Sequence, residues 1–203
     1  MMGQPFSFLE KVKEQIDPSG IVLEIGTNRG EGSTPWLWEF CFRNGLDFHT
    51  VDINPERCQE GKKEIPTLNV HCMKGEEFLV NTGYMISAAY LDNFDWIWEF
   101  NKYQDTQKPD WIHIQVEEYK RLGIEMNNHN SQMAHLMQSM MIENLAAERC
   151  IIIFDDTWKY GEYGSYTGKG GAAVPYLLAK RFEIIEEGDR HCKWVAVGRN
   201  INV

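Results

Sequence analysis

Ile21-Val22-Leu23-Glu24-Ile25-Gly26-Thr27-Asn28-Arg29-Gly30-Glu31-Gly32-Ser33-Thr34-Pro35 is an apolar run, a glycine-rich turn and a helix start in direct succession. The β-branched run predicts a strand over Ile21–Ile25. Ser33 and Thr34 are capping residues, Pro35 suits a first helical turn, and Gly45 closes the helix that follows. A glycine turn between strand and helix lets a ligand approach the backbone near a helix N-terminus. Here the glycines are Gly26, Gly30 and Gly32, spaced G-x-x-x-G-x-G. The dinucleotide fingerprint G-x-G-x-x-G has a different spacing.

Glu24 precedes the first glycine by two residues. A carboxylate there opposes a pyrophosphate but suits a cofactor that carries an ammonium and a sulfonium. The second strand, Phe48–Ile53, contains Asp52 near its tip, where a carboxylate accepts hydrogen bonds from ribose hydroxyls. Together these features favour S-adenosyl-L-methionine (SAM) over NAD. The expected contacts on the first two strand ends are Glu24, Gly26, Thr27, Gly30, Ser33, Asp52 and Ile53.

Further strands are predicted at Leu68–Cys72, Met85–Leu91 and Cys150–Phe154, with helices between them, a long one over Ser131–Arg149 and another over Gly171–Arg181. Nearly continuous apolar strands belong in a parallel sheet covered on both faces. Phe182–Glu187 and Cys192–Gly198, separated by Gly188-Asp189, read as an antiparallel hairpin. The expected fold is therefore α/β and Rossmann-like: a mostly parallel seven-stranded sheet ending in a C-terminal hairpin, with helices on both faces, in one domain over 1–203. Residues 93–130 interrupt this order with aromatic residues among charged ones. They are too long for a simple connection and read as a lid, a substrate cap or a subunit contact that would make a homo-oligomer.

Composition narrows the function. The net charge of −10 argues against a nucleic-acid or anionic membrane partner. No 18-residue apolar run is present, so no membrane span is expected, and the N-terminus lacks a signal-peptide core. Met2-Gly3-Gln4-Pro5-Phe6-Ser7 fits the loose myristoylation pattern but is read as incidental. Five cysteines without metal or disulfide spacing suggest free thiols in a reducing cytoplasm.

The fourth and fifth strands end in Asp92 and in Asp155-Asp156. In a sheet of this order those ends are neighbours, so three carboxylates converge. At ~4 Å and an effective dielectric of ~20, each like-charged pair costs about 4 kcal/mol. Either a proton or a cation must relieve that repulsion. Oxygen ligands alone would select a hard ion such as Mg²⁺.

LEIGTNRGEGST resembles motif I of the class I SAM-dependent methyltransferases, especially the catechol O-methyltransferase-like group and the macrolide and aminocoumarin sugar O-methyltransferases. HTVDINPE resembles their ribose-binding second strand, and HCMKGEEFL the adenine-side segment after strand three, with Gly75 in place of the usual serine. The resemblance, covering about Ile21–Gly198, implies Gly75 and Glu76 as further cofactor contacts and Asp92 as another. It implies O-methylation of a hydroxyl on a small molecule or sugar. It also implies a Mg²⁺ ion on Asp92, Asp155 and Asp156, with Asp92 and Asp155 catalytic.

Those relatives carry a histidine soon after the strand-four aspartate, where this chain has Asn93-Phe94-Asp95. A general base must then come from His135, His129 or Lys159, with His135 taken as the candidate. The aromatic, glycine-rich stretch from Thr157 to Gly171 reads as a mobile substrate wall. Gly168–Gly171 is no phosphate loop, because no GK[ST] follows a strand there. Two rival readings are a noncatalytic SAM-binding or interaction protein and a hydroxylase of the cephalosporin-related type on the same scaffold.

Overall fold

The computed structural model describes residues 4–27, 32–97, 110–161, 164–189 and 192–201. Its main sheet has seven strands in the order β3-β2-β1-β4-β5-β9-β8. The parallel strands are β1 (Ile21–Ile25), β2 (Phe48–Asp52), β3 (Asn69–Cys72), β4 (Ile86–Leu91) and β5 (Ala146–Phe154). β8 (Glu183–Glu187) and β9 (Val195–Arg199) form the terminal hairpin, and β9 enters the sheet antiparallel to β5.

Strand alternation sorts the apolar side chains into two core layers. Leu23, Ile25, Ile152 and Phe154 face one layer, which is closed by α4 (Gly75–Asn81), α6 (Asn128–Leu145) and α7 (Ala173–Leu178). Val22, Tyr90, Ile151 and Ile153 face the other, beneath α2 (Ser33–Asn44). Phe6, Phe8, Leu9 and Val12, from the helical turns over Pro5–Phe8 and α1 (Leu9–Val12), complete that second layer. The sequence alone assigns this N-terminal stretch no structural role. Its buried phenylalanines make it part of the core. Between β2 and β3 runs α3 (Pro55–Glu64), whose start is capped by Asn54 accepting from the Glu56 N–H.

Three regions depart most from expectation. The long helix stops at Leu145, and Ala146–Arg149 extend β5. Ala146 pairs with Ile86, while Arg199 donates to the carbonyls of Ala146 and Ala147 at 2.7 and 2.6 Å. These long-range partners outweigh local helix preference. Within the interrupting segment, α5 (Asp110–Arg121) forms where no regular element was expected. The Thr157–Gly171 stretch contains a two-stranded sheet, β6 (Thr157–Lys159) against β7 (Tyr166–Gly168). Among the described residues, no helix is long and apolar enough to cross a membrane, and the five cysteines are free, three of them buried.

Ile152, fully buried in the centre of β5, tests this packing. Ile152→Ala is expected to cost about 2–5 kcal/mol in urea unfolding, against about 0.5 kcal/mol or less for Val80→Ala on the exposed face of α4.

Candidate cofactor and active site

A cavity of about 560 Å³ opens at the carboxyl ends of β1, β2, β3 and β4, within the range of small-molecule sites. Gly26, Asp52, Ile53, Gly75, Glu76 and Asp92 line it, so six of the expected cofactor contacts share one wall. Two of them are glycines for steric reasons. Gly26 has φ +110°, and a Cβ there would meet the Asn93 amide nitrogen and the Asp92 carbonyl carbon at 2.8 Å. A Cβ on Gly75 would sit 2.6 Å from Ile25 Cγ2. That crowding against the Ile25 side chain accounts for a glycine where the resembled family carries serine.

Glu24 has a different place from the one expected. Its carboxylate is fully buried and does not line the cavity. Ser33 Oγ donates to it at 2.6 Å, and Thr34 Oγ1 and Thr50 Oγ1 at 2.7 Å. Thr27 Oγ1 bonds in turn to Thr50 Oγ1. The carboxylate therefore ties β1 to β2 and to the first turn of α2, fixing both ends of the glycine loop. Ser33 and Thr27 act as members of this network rather than as cavity wall. Gly30 lies outside the described residues. Burial pushes the Glu24 carboxyl up to about 7 despite the three hydroxyl donors.

Asp52 lies on the cavity wall with one oxygen accepting from the Asn54 N–H at 2.7 Å. Burial raises its carboxyl to about 6, opposed by that bond and by Arg57. Over it lies α5. Glu118 accepts from Asn54 Nδ2 and pairs with Arg57 at 3.1 Å. Tyr119 Oη donates to Asp95 Oδ2 at 3.3 Å and accepts from the Asp95 N–H at 3.1 Å. These contacts join α5 to the loops after both β2 and β4.

The aspartates at the ends of β4 and β5 do converge, and a lysine joins them. Lys169 Nζ, with its side chain only 2% exposed, donates to Asp92 Oδ1 at 2.6 Å and lies 3.5 Å from Asp156 Oδ2. Tyr90 Oη donates to the other Asp92 oxygen at 3.3 Å. Burial alone would lower the lysine's pKa, but Asp92, Asp156 and Asp155 outweigh it and hold the ammonium charged. Burial, then the charge of Asp92, raises Asp155 well above the usual carboxylate range; burial also raises Asp156. The expected magnesium site on Asp92, Asp155 and Asp156 finds no support in this arrangement. The cation at this cluster is an ammonium, and among the described residues no group of three or more acidic, His or Cys side chains could hold a metal ion.

The candidate base is also displaced. His135 is wholly buried and does not line the cavity. Its Nδ1 bonds to the Ser131 carbonyl at 2.7 Å, and burial, followed by Lys169, lowers its pKa to about 4. His129 and Lys159 are exposed and outside the lining. Asp95, on the wall and raised by burial, is a carboxylate the sequence reading passed over, as were Arg57, Glu118, Tyr119 and Lys169.

No family model and no curated protein matches the chain. Solved structures do. A Streptococcus mutans protein assigned as a methyltransferase, SMU.1697c, bound to S-adenosylhomocysteine (SAH), superposes with a TM-score of 0.57 at 9% identity, over 98% of this chain and 99% of that one. The fold is that of the class I methyltransferases. The sugar N-methyltransferase KedS8 of Streptoalloteichus superposes equally, with a TM-score of 0.57 at 9% identity over 98% and 88% of the two chains. An rRNA methylase from Streptococcus thermophilus gives 0.53 at 14% identity over 98% of each. In this methyltransferase fold the cavity occupies the crevice outside the strand ends where the chain order reverses.

The Glu24 network has a pH signature. Its folded pKa lies above the ordinary 4.5, so its contribution to stability falls as pH rises from about 4.5 to about 7 and is flat above that. Glu24→Gln removes this term. Its stability relative to wild type, measured by urea unfolding, should rise across that window by on the order of 3 kcal/mol. A pH-independent difference would contradict the assignment.

Proposed function

We propose that this chain is a SAM-dependent methyltransferase acting on a hydroxyl group of a small molecule. The observation that carries this reading is the cavity at the strand ends, where Gly26, Asp52, Ile53, Gly75 and Glu76 share one wall beside the carboxylates of Asp92 and Asp95. SAM would supply an electrophilic methyl group. Methyl transfer then forms the acceptor O–C bond, breaks the C–S bond and leaves SAH.

The protein's part is binding, alignment and removal of one proton. Asp52 is placed to accept from ribose hydroxyls, and the bare backbone at Gly26 and Gly75 permits close approach. Holding the acceptor in line is the largest lever available, because positioning in oriented intramolecular reactions is worth ~7–11 kcal/mol. Asp92 and Asp95 are the carboxylates near which an acceptor's proton could be received. In this proposal α5 caps the site, closing over it through Glu118 and Tyr119.

Among the described residues, six acidic side chains line the cavity, Asp52, Glu76, Asp92, Asp95, Glu118 and Glu125, against two basic ones, Arg57 and Lys74, with Lys169 behind Asp92. This excess suits a sulfonium cofactor and opposes a polyanionic acceptor, which supports a small molecule over RNA. The metal-assisted form of the reaction is not carried forward, because an ammonium already pairs with Asp92 and lies beside Asp156.

Calorimetric titration with SAH tests the reading. Wild type is expected to bind, and Asp52→Ala to bind at least about tenfold more weakly, as for loss of a charge-assisted hydrogen bond pair. Wild-type affinity should fall as pH drops below about 6, where Asp52 protonates, and Asp52→Asn should lose that dependence. No heat with SAH at any pH would remove the proposal. If SAH binds, turnover of labelled SAM with a panel of hydroxylated and aminated small molecules tests the acceptor. Asp95→Asn should then lower kcat more than it raises KM.

A further inference from the structure

We infer that Lys169 is the resident counter-ion of the active-site aspartates: a covalently supplied cation in the position where the resembled sugar methyltransferases would place a divalent metal. Lys169 is a positioning residue, acting on the cavity through Asp92, and is not itself part of the wall. The inference rests on this geometry alone and is independent of SAM binding.

Four observations carry it. The ammonium is buried and within 2.6 and 3.5 Å of oxygens from two different strand ends. Both Asp92 oxygens are already engaged, one by Lys169 and one by Tyr90. A Mg²⁺ ion, which needs oxygen ligands at about 2.0–2.1 Å, would have to share the space between Asp92 and Asp156 with a like-charged ammonium. The turn that delivers the lysine is built to hold it. The Lys169 N–H donates to the Asp156 carbonyl at 3.0 Å, and the Gly170 N–H donates to Thr157 Oγ1 at 2.8 Å. At Gly168, with φ +85°, a Cβ would fall 1.9 Å from the Asp156 carbonyl oxygen. Only a glycine lets this turn close onto the strand-five end.

A fixed ammonium differs from a metal ion in what it can do. It neutralises one carboxylate and orients Asp92 without depending on ion supply. It has no open coordination position for two vicinal substrate oxygens, so acceptors need not be diols. Activity should then be indifferent to chelator.

The test is Mn²⁺ binding, followed by the electron paramagnetic resonance signal of the free ion, on protein stripped with EDTA and without SAM. Wild type should leave the signal unchanged at millimolar Mn²⁺. Lys169→Met keeps an unbranched stem while removing the charge, so the freed carboxylates should take up one equivalent. Asp92→Asn in that background should abolish the uptake. Saturable binding by wild type that is lost in Asp156→Asn would overturn the inference. So would a folded Lys169→Met protein, judged by its melting curve and near-ultraviolet dichroism, that takes up no ion. Should Lys169→Met fail to fold, the wild-type titration decides alone.

Discussion

Strands β1 and β4 lie side by side at the centre of the sheet, yet the chain leaves them in opposite directions, toward β2 on one side and β5 on the other. Parallel strands that diverge in this way leave a crevice above their carboxyl ends. Everything proposed for this protein sits in or beside that crevice. The constraint is severe at Gly26, where an added Cβ would lie only 2.8 Å from the Asp92–Asn93 backbone. A side chain there would push the ends of β1 and β4 apart.

The same crevice gathers charge, and the protein resolves it in two ways. At β1 the Glu24 carboxyl is buried, three hydroxyls donate to it, and its pKa rises. At β4 and β5 several carboxylates meet, and hydroxyls alone do not suffice. There an ammonium from a distant turn enters the cluster. Breaking such a buried pair is costly because it strands a charge. The glycine at 168 and the left-handed backbone of Asp156 (φ +44°) shape the turn that delivers this ammonium.

What the sequence made legible was local. The apolar run, glycine turn and helix start from Ile21 to Pro35 are contiguous, and their reading placed β1 and α2 correctly. The terminal hairpin was equally visible, because its period and its Gly188-Asp189 break are short-range signals. Convergence of Asp92, Asp155 and Asp156 followed from strand order. The identity of the cation did not: Lys169 meets Asp92 across 77 positions, and a lysine in a glycine-rich stretch has no spacing that announces a partner. A lone lysine flanked by glycines soon after an Asp-Asp pair was the only signal. The end of α6 was misplaced for a related reason, since the pairing of Ala146 with Ile86 is invisible to helix propensity. Glu24 reads in the sequence as a cofactor contact, but its carboxyl bonds instead to hydroxyls brought by folding.

The central claim is that the cavity above β1, β2, β3 and β4 holds the methyl donor. A crystal structure of the chain grown with saturating SAH addresses it most directly. The account predicts density for one SAH molecule in that cavity, with its ribose hydroxyls within hydrogen-bonding distance of Asp52 and its adenine beside Gly75. An SAH molecule bound elsewhere, or a cavity unchanged at saturating SAH, would contradict it.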